Sequence, residues 1–152
     1  RHDRQADDPQ PLDYLDSEAN RRQGALDLKL QTSLLSAKMR ADGDAPHLLG
    51  ESNFAQSYWS VAQMVTHHSV NGCNLRAGDF FGSGTQSGTS DNELGSMLEI
   101  TQGGKQQLEL PNGEIRKFLI DGDCIIMSGY CEKPGAARIG FGSASATILP
   151  VS

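Results

Sequence analysis

The sequence predicts a mainly β fold with one main helix, arranged as a mixed β-roll or sandwich. Leucines alternate with polar residues in "LDLKLQTSLL", the pattern of a strand with one buried face. Turn signals follow one another at short intervals, among them the Asn-Gly pair in "LPNGEI" and the segment "IDGD". Only one long segment has apolar residues at the three- and four-residue spacing of a helix. Short strands joined by glycine-rich links indicate mostly antiparallel pairing.

The N-terminal half predicts two extended pieces. The first is the leucine-rich segment at residues 26–35, with leucines on one face and charged or amide side chains on the other. Polar residues 41–46, "ADGDAP", then predict a turn. Leu48 and Leu49 begin the second extended piece.

The main helix is predicted within residues 52–72, "SNFAQSYWSVAQMVTHHSVNG". Its apolar residues recur every three or four positions, so they share one face. Asn53 is the expected N-cap, with Gln56 three residues later. Gly72 is expected to end the helix in the left-handed conformation.

Residues after Gly72 are predicted to form short strands. In "SMLEIT" successive side chains would alternate between the two faces of a strand. The segments "QQLEL" and "EIRKFLI" flank the Asn-Gly hairpin signal. Further strands are expected at residues 124–130, 138–141 and 144–149.

Composition narrows the range of partners. The chain carries 13 basic and 19 acidic residues, a net charge of −6, which argues against nucleic acid or an anionic membrane as partner. The sequence contains no uninterrupted apolar run of the roughly 18 residues that predict a membrane span, so we expect a cytoplasmic protein. Its three cysteines, Cys73, Cys124 and Cys131, lack Cys-x-x-Cys spacing and are expected to be reduced and mostly buried.

Residues 1–152 are expected to belong to a single domain, with residues 1–24 mostly irregular. The chain begins with Arg1 in a polar, proline-containing stretch, "RHDRQADDPQPLDYL". This start suggests a cut inside a longer chain.

The adjacent histidines His67 and His68 do not form a zinc motif. Neighbouring helical residues project about 100° apart, whereas helical zinc ligands are usually four residues apart. We expect one imidazole to pack beneath the sheet with its N–H bonded to the backbone. The other is expected near the helix end, where a positive group suits the dipole.

Two features leave alternatives open on the residues alone. The run Gly82 to Thr85, "GSGT", is either a bulge or a place where a substrate approaches the backbone. Glu99 lies in the middle of an apolar segment. Its carboxylate is either exposed, with no further consequence, or interior and paired with a histidine, an arginine or a metal.

The order and spacing of several motifs resemble the C-terminal part of the catalytic domain of the fumarylacetoacetase (fumarylacetoacetate hydrolase) family. These motifs are "THHSVNGCNLRAGDFFGSGTQSG", "GSMLEI", "NGEIRKFLIDGD", "SGYC" and "RIGFG". The similarity extends back through "SNFAQSYW" and "DPQPLDYL", which is almost the whole chain. The resemblance implies a β-roll present only in part, a homodimer, and magnesium or calcium at the active site.

The implied activity is hydrolysis of the carbon–carbon bond of 4-fumarylacetoacetate to fumarate and acetoacetate, a step of tyrosine and phenylalanine catabolism. By position, Glu99 matches the carboxylate that works with a catalytic histidine and water, and Thr85 matches a substrate-binding threonine. The resemblance places the catalytic histidine, the metal ligands and the oxyanion-stabilising groups before this segment; His67 and His68 do not match that histidine. We therefore expect no metal ligand here and no activity from this segment alone. The alternatives are a related hydrolase acting on another diketone or an acylpyruvate, and a non-catalytic β-domain fragment.

Overall fold

The computed structural model describes residues 7–151, which form a four-stranded antiparallel sheet, a separate hairpin and several short helices. The strands are β1 Lys29–Leu35, β2 His47–Asn53, β3 Leu108–Glu109, β4 Ile115–Arg116, β5 Cys124–Cys131 and β6 Ile139–Thr147. The helices are α1 Glu18–Gln23, α2 Ala37–Asp42, α3 Val61–Val70 and α4 Met97–Ile100. The sheet order is β2-β1-β5-β6, and β3 pairs with β4. The predicted mainly β fold with one main helix is confirmed.

Strand β1 lies in the interior of the sheet, between β2 and β5. It occupies residues 29–35 of the predicted segment 26–35, so the strand prediction is confirmed with a later start. Leu34 is fully buried and packs with Met39 and Leu110 as the centre of the core. Of the leucines predicted on the inner face, Leu34 is buried, whereas Leu26, which precedes the strand, is 48% exposed.

Helix α2 replaces the beginning of the turn predicted at residues 41–46. The hydroxyl of Ser36 accepts a hydrogen bond from the N–H of Met39 at 3.0 Å, which caps the first turn. Gly43 ends the helix with φ +78°. The helix is only six residues long, too short for its periodicity to be recognised in the sequence.

The predicted main helix exists, but it begins at a different residue. Helix α3 is capped by Ser60, whose side chain forms a reciprocal capping box with Gln63. The predicted cap, Asn53, instead accepts from the N–H of Ala55 at 2.9 Å and begins a separate 3₁₀ turn. Gly72 has φ +89°, as expected of a residue just past a helix end.

The strand predicted at "SMLEIT" is wrong, because these residues form the single-turn helix α4. The hydroxyl of Ser96 accepts from the N–H of Glu99 at 3.3 Å and caps the turn. Thr101 follows as C-cap and donates its hydroxyl to the carbonyl of Met97 at 2.8 Å. Capping at both ends outweighs an apolar alternation that is only a few residues long.

The C-terminal strands largely follow the prediction. The Asn-Gly hairpin forms between β3 and β4, although each strand has only two residues. The two strands predicted at 138–141 and 144–149 are a single strand, β6, which pairs with β5 on both sides of a register shift between Ser128 and Tyr130. Gly142 has φ +77° within β6 and allows the chain to continue where a break was expected.

Residues 7–24, within the segment predicted to be mostly irregular, contain more regular structure than predicted. Residues 1–6 lie outside the described residues. Beyond them, Asp13–Leu15 form a 3₁₀ turn, and α1 is capped by Ser17, whose side chain accepts from the N–H of Asn20. Within residues 7–151, no helix has both the length and the apolar character that crossing a bilayer requires.

The three cysteines are free thiols, as predicted. Cys124 is buried and Cys131 is half-buried. Cys73, however, is exposed, so the expectation of mostly buried thiols is wrong at this position. It follows α3 at the surface.

Candidate functional site

The carboxylate of Glu99 is exposed, and two serine hydroxyls hold it. Ser96, the cap of α4, donates to Oε2 at 2.8 Å. Ser87 donates to Oε1 and Oε2, with oxygen–oxygen distances of 2.8 and 2.9 Å. The structure therefore agrees with the exposed alternative, and within residues 7–151 the interior carboxylate paired with a histidine, an arginine or a metal is not observed. Glu99 is at the surface, yet its carboxylate has a fixed orientation.

The sheet anchors the segment that leads to Glu99. A side chain at Gly50 of β2 would place its Cβ only 2.5 Å from the carbonyl oxygen of Leu94, so this contact requires glycine. Met97 and Ile100 of α4 line a cavity of about 190 Å³ beneath the helix, together with residues of β1 and β5. Glu99, in contrast, is on the exposed side of the same turn.

Gly95 joins the segment of Glu99 to that of Thr85. Its N–H donates to Ser87 Oγ at 3.1 Å. A Cβ at Gly95 would lie 2.5 Å from the carbonyl oxygen of Gln86 and 2.7 Å from Thr85 Cγ2, so only glycine permits this approach. The two chain segments therefore lie against each other.

Thr85 itself is exposed and belongs to no strand. The preceding Gly84 has φ +78°, a conformation that favours glycine, so the "GSGT" run is an irregular surface segment and not part of a sheet. Ser87 and Gly95 lie between Thr85 and Glu99. A substrate pocket shared by these two residues stays a prediction.

Hydrogen bonding keeps Glu99 ionised. The hydroxyl of Ser96, followed by that of Ser87 and the backbone N–H groups of Gly95 and Ser96, lowers the pKa of Glu99 below its ordinary value. A carboxylate has about four lone-pair sites on its two oxygens, and the serine hydroxyls do not fill them. The exposed carboxylate can therefore accept a further hydrogen bond, for example from an imidazole N–H.

The two adjacent histidines bind to side chains at the surface. Tyr14 Oη lies 2.9 Å from His67 Nδ1, and the two rings stack nearly parallel. His68 Nε2 lies 3.1 Å from Cys73 Sγ. Both histidines are exposed, so the expectation of one imidazole packed beneath the sheet and bonded to the backbone is wrong.

A buried ion pair was not anticipated from the sequence. Arg116 donates to Asp123 through Nε at 2.8 Å and through Nη2 at 2.9 Å, and both side chains are buried. Asp123 also accepts from the N–H of Ile120 at 3.0 Å. The "IDGD" turn is thus held by a bidentate pair. The signal available in the sequence was an arginine inside the apolar strand "EIRKFLI".

The donor groups in the described part of the chain do not fit a magnesium or calcium site. Such a site needs several carboxylate or carbonyl oxygens around one point. Residues 7–151 contain no group of three or more His, Cys, Asp or Glu side chains that could hold a metal ion. We therefore assign no chemical step in this segment to a metal.

Comparison with known proteins gives a consistent result across the chain. The family model described as "Fumarylacetoacetate (FAA) hydrolase C-terminal" matches residues 15–148. Fumarylacetoacetase of Dictyostelium discoideum is 43% identical over 145 residues, covering 94% of this chain and 32% of that protein.

Two further relatives agree. Fumarylacetoacetase of Homo sapiens is 43% identical over 143 residues, covering 94% of this chain and 32% of that protein. The Caenorhabditis elegans fumarylacetoacetase is 51% identical over 118 residues, covering 76% of this chain and 28% of that protein. The chain spans about a third of the length of the curated relatives it matches. On the match over residues 15–148, this chain belongs to the fumarylacetoacetate hydrolase family, in its C-terminal part.

Proposed function

We propose that this chain contributes Glu99 and Thr85 to the active site of a hydrolase that cleaves 4-fumarylacetoacetate to fumarate and acetoacetate. Relatives named fumarylacetoacetase that match 94% of the chain support the reaction. The observation that carries the role of Glu99 is its geometry. The carboxylate is ionised, exposed and oriented by two hydroxyls, which suits a group that aligns a catalytic base.

In the proposed reaction, a histidine from outside this chain takes a proton from water, and the hydroxide adds to the carbonyl carbon next to the fumaryl double bond. Glu99 accepts the other N–H of that imidazole, fixes its orientation and stabilises the imidazolium that forms. Thr85 hydrogen-bonds the substrate through its hydroxyl.

The carbon–carbon bond then breaks, and its electron pair passes to the departing methylene carbon. That carbon is conjugated to the second ketone, so the charge is held as an enolate, which takes the proton from the imidazolium and becomes acetoacetate. The carbonyl carbon that received hydroxide leaves as the new carboxylate of fumarate.

The proposed active site also needs a metal ion and a histidine, which residues 7–151 are not proposed to supply. The family resemblance implies magnesium or calcium, a homodimer and a cytoplasmic enzyme of tyrosine and phenylalanine catabolism. Because the donors in residues 7–151 do not fit such a metal, its ligands would come from elsewhere, as would the histidine. By itself, this chain is therefore proposed to be inactive.

The test compares two proteins. One is this chain alone. The other is the Dictyostelium fumarylacetoacetase in which this chain replaces the matching third. Loss of the diketone absorbance of fumarylacetoacetate measures turnover, with an acylpyruvate as the comparison substrate. We expect turnover of fumarylacetoacetate by the chimera and none by the chain alone. A folded dimeric chimera without activity would argue against the hydrolase, and full turnover by the chain alone would argue against the shared site.

A further inference from the structure

We propose that Ser87 is a positioning residue for Glu99, whose hydroxyl sets the direction in which the catalytic carboxylate faces. This inference rests on the proposed role of Glu99 in the hydrolase. It assigns to the reaction a third residue of this chain, which is not expected to touch the substrate.

The contacts of Ser87 differ in kind from those of Ser96. Ser96 is three residues from Glu99 and also caps α4, so its contact is part of the local helix turn. Ser87 is 12 residues from Glu99 and lies on a separate segment, yet its oxygen is within 2.9 Å of both carboxylate oxygens. It therefore fixes the carboxylate relative to the segment that carries Thr85.

The hydroxyl of Ser87 is oriented by a second contact. The N–H of Gly95 donates to Ser87 Oγ at 3.1 Å and so occupies a lone pair of that oxygen. The hydroxyl proton is then directed to the carboxylate, which carries no proton to donate. Gly95, Ser87 and Glu99 form a short directed chain of hydrogen bonds.

Neutral groups make the contacts that orient Glu99. They are the hydroxyls of Ser87 and Ser96 and the backbone N–H of Gly95, which do not titrate in the working range. No ion pair in the described part of the chain includes Glu99. Removing the Ser87 hydroxyl therefore changes the titration of Glu99 without altering the charge around it.

The first experiment uses this chain and needs no activity. Carbon-13 NMR follows the carboxyl resonance of Glu99 through an acid titration in the parent, in Ser87→Ala and in Ser69→Ala. Ser69 is the matched control, since its hydroxyl donates to carbonyls of its own helix. We expect the Glu99 midpoint to rise in Ser87→Ala only. An unchanged midpoint in Ser87→Ala would overturn the proposal.

The second experiment uses the active chimera described above. We expect Ser87→Ala to lower kcat about ten-fold, the loss typical of one hydrogen bond to a charged group, with little change in KM. The acid limb of its pH–rate profile should move to higher pH, and Ser87→Thr should restore most of the rate.

The outcomes separate the two proposals. If Glu99→Gln abolishes turnover while Ser87→Ala leaves kcat and the acid limb unchanged, the positioning role is wrong and the hydrolase assignment stands. If Glu99→Gln is itself fully active, the role of Glu99 in the proposed function is wrong, and the positioning role fails with it.

Discussion

Ser87 Oγ lies 2.8 and 2.9 Å from the two carboxylate oxygens of Glu99 and so joins two chain segments that are separated by 12 residues. One segment carries Thr85, and the other is the single helical turn α4. Both predicted site residues therefore belong to segments that contact each other. The position of one segment relative to the other depends on the absence of a side chain at Gly95.

Replacing Glu99 by Gln tests the centre of the proposed site. The amide is similar in shape and can still accept from the serine hydroxyls, but it cannot stabilise an imidazolium by charge. We expect kcat/KM of the chimera to fall about 10²- to 10⁴-fold, the range typical of an acid–base group, with unchanged circular dichroism. Glu109→Gln is the matched control, because Glu109 is exposed on β3. Equal losses in both variants would contradict a specific role for Glu99.

The buried pair of Arg116 and Asp123 predicts a large effect on stability. Arg116→Met leaves a fully buried carboxylate without its bidentate partner, which should lower the free energy of unfolding by about 3–5 kcal/mol. The double variant Arg116→Met/Asp123→Asn should lose less than the sum of the two single variants, since no unpaired charge remains at position 123, while Glu114 loses its 3.1 Å contact with Arg116 in both variants that lack the arginine. Urea unfolding measures all four proteins of the cycle. Lys117→Met, at an exposed neighbouring position, should change stability little.

Glu114 predicts a loss of stability in acid. The hydroxyl of Ser36, then the amide of Asn112, then Arg116 lower the pKa of Glu114 from 4.5 to about 2. A folded-state pKa below the unfolded one means that the unfolded chain binds more protons between these values. The stabilisation is therefore fully present above pH 4.5 and is lost as the pH falls towards 2.

Urea unfolding at a series of acidic pH values measures this dependence. Glu114→Gln should have a shallower loss of stability below pH 4.5 than the parent protein. Glu109→Gln, in which an exposed glutamate is replaced, should retain the slope of the parent. An identical slope in the parent and in Glu114→Gln would contradict the prediction.

Elements long enough for a hydrophobic pattern to repeat could be predicted from the sequence. Short helices whose formation depends on a single capping residue could not. Strand β1 and helix α3 extend over seven and ten residues, enough for alternation or helical spacing to be recognised. Helices α2 and α4 have six and four residues and depend on single serine caps, Ser36 and Ser96. An alternation over "SMLEIT" is too short to exclude a helical turn.

Some residues of the candidate site were identified from the sequence, and one was not. Family resemblance alone gave Glu99 and Thr85 their roles, since the residues by themselves left exposed and interior readings open. Ser87 was missed because its contact with Glu99 forms only when two segments approach at Gly95, an arrangement that no local pattern reports. The close approach of backbone at a glycine is a feature of tertiary structure.

The outer edge of β6 predicts self-association of the isolated chain. β6 is an edge strand, all nine of its residues are exposed, and within residues 7–151 no strand covers its outer side. Long exposed edge strands with apolar side chains pair with other chains, and lysine discourages such pairing. We expect the isolated chain to form dimers or larger species in size-exclusion chromatography with light scattering, and Phe141→Lys to shift it towards monomer. Phe80→Lys, at an exposed phenylalanine outside the strands, is the control; an equal shift in both variants would mean that general hydrophobic exposure, not the β6 edge, drives association.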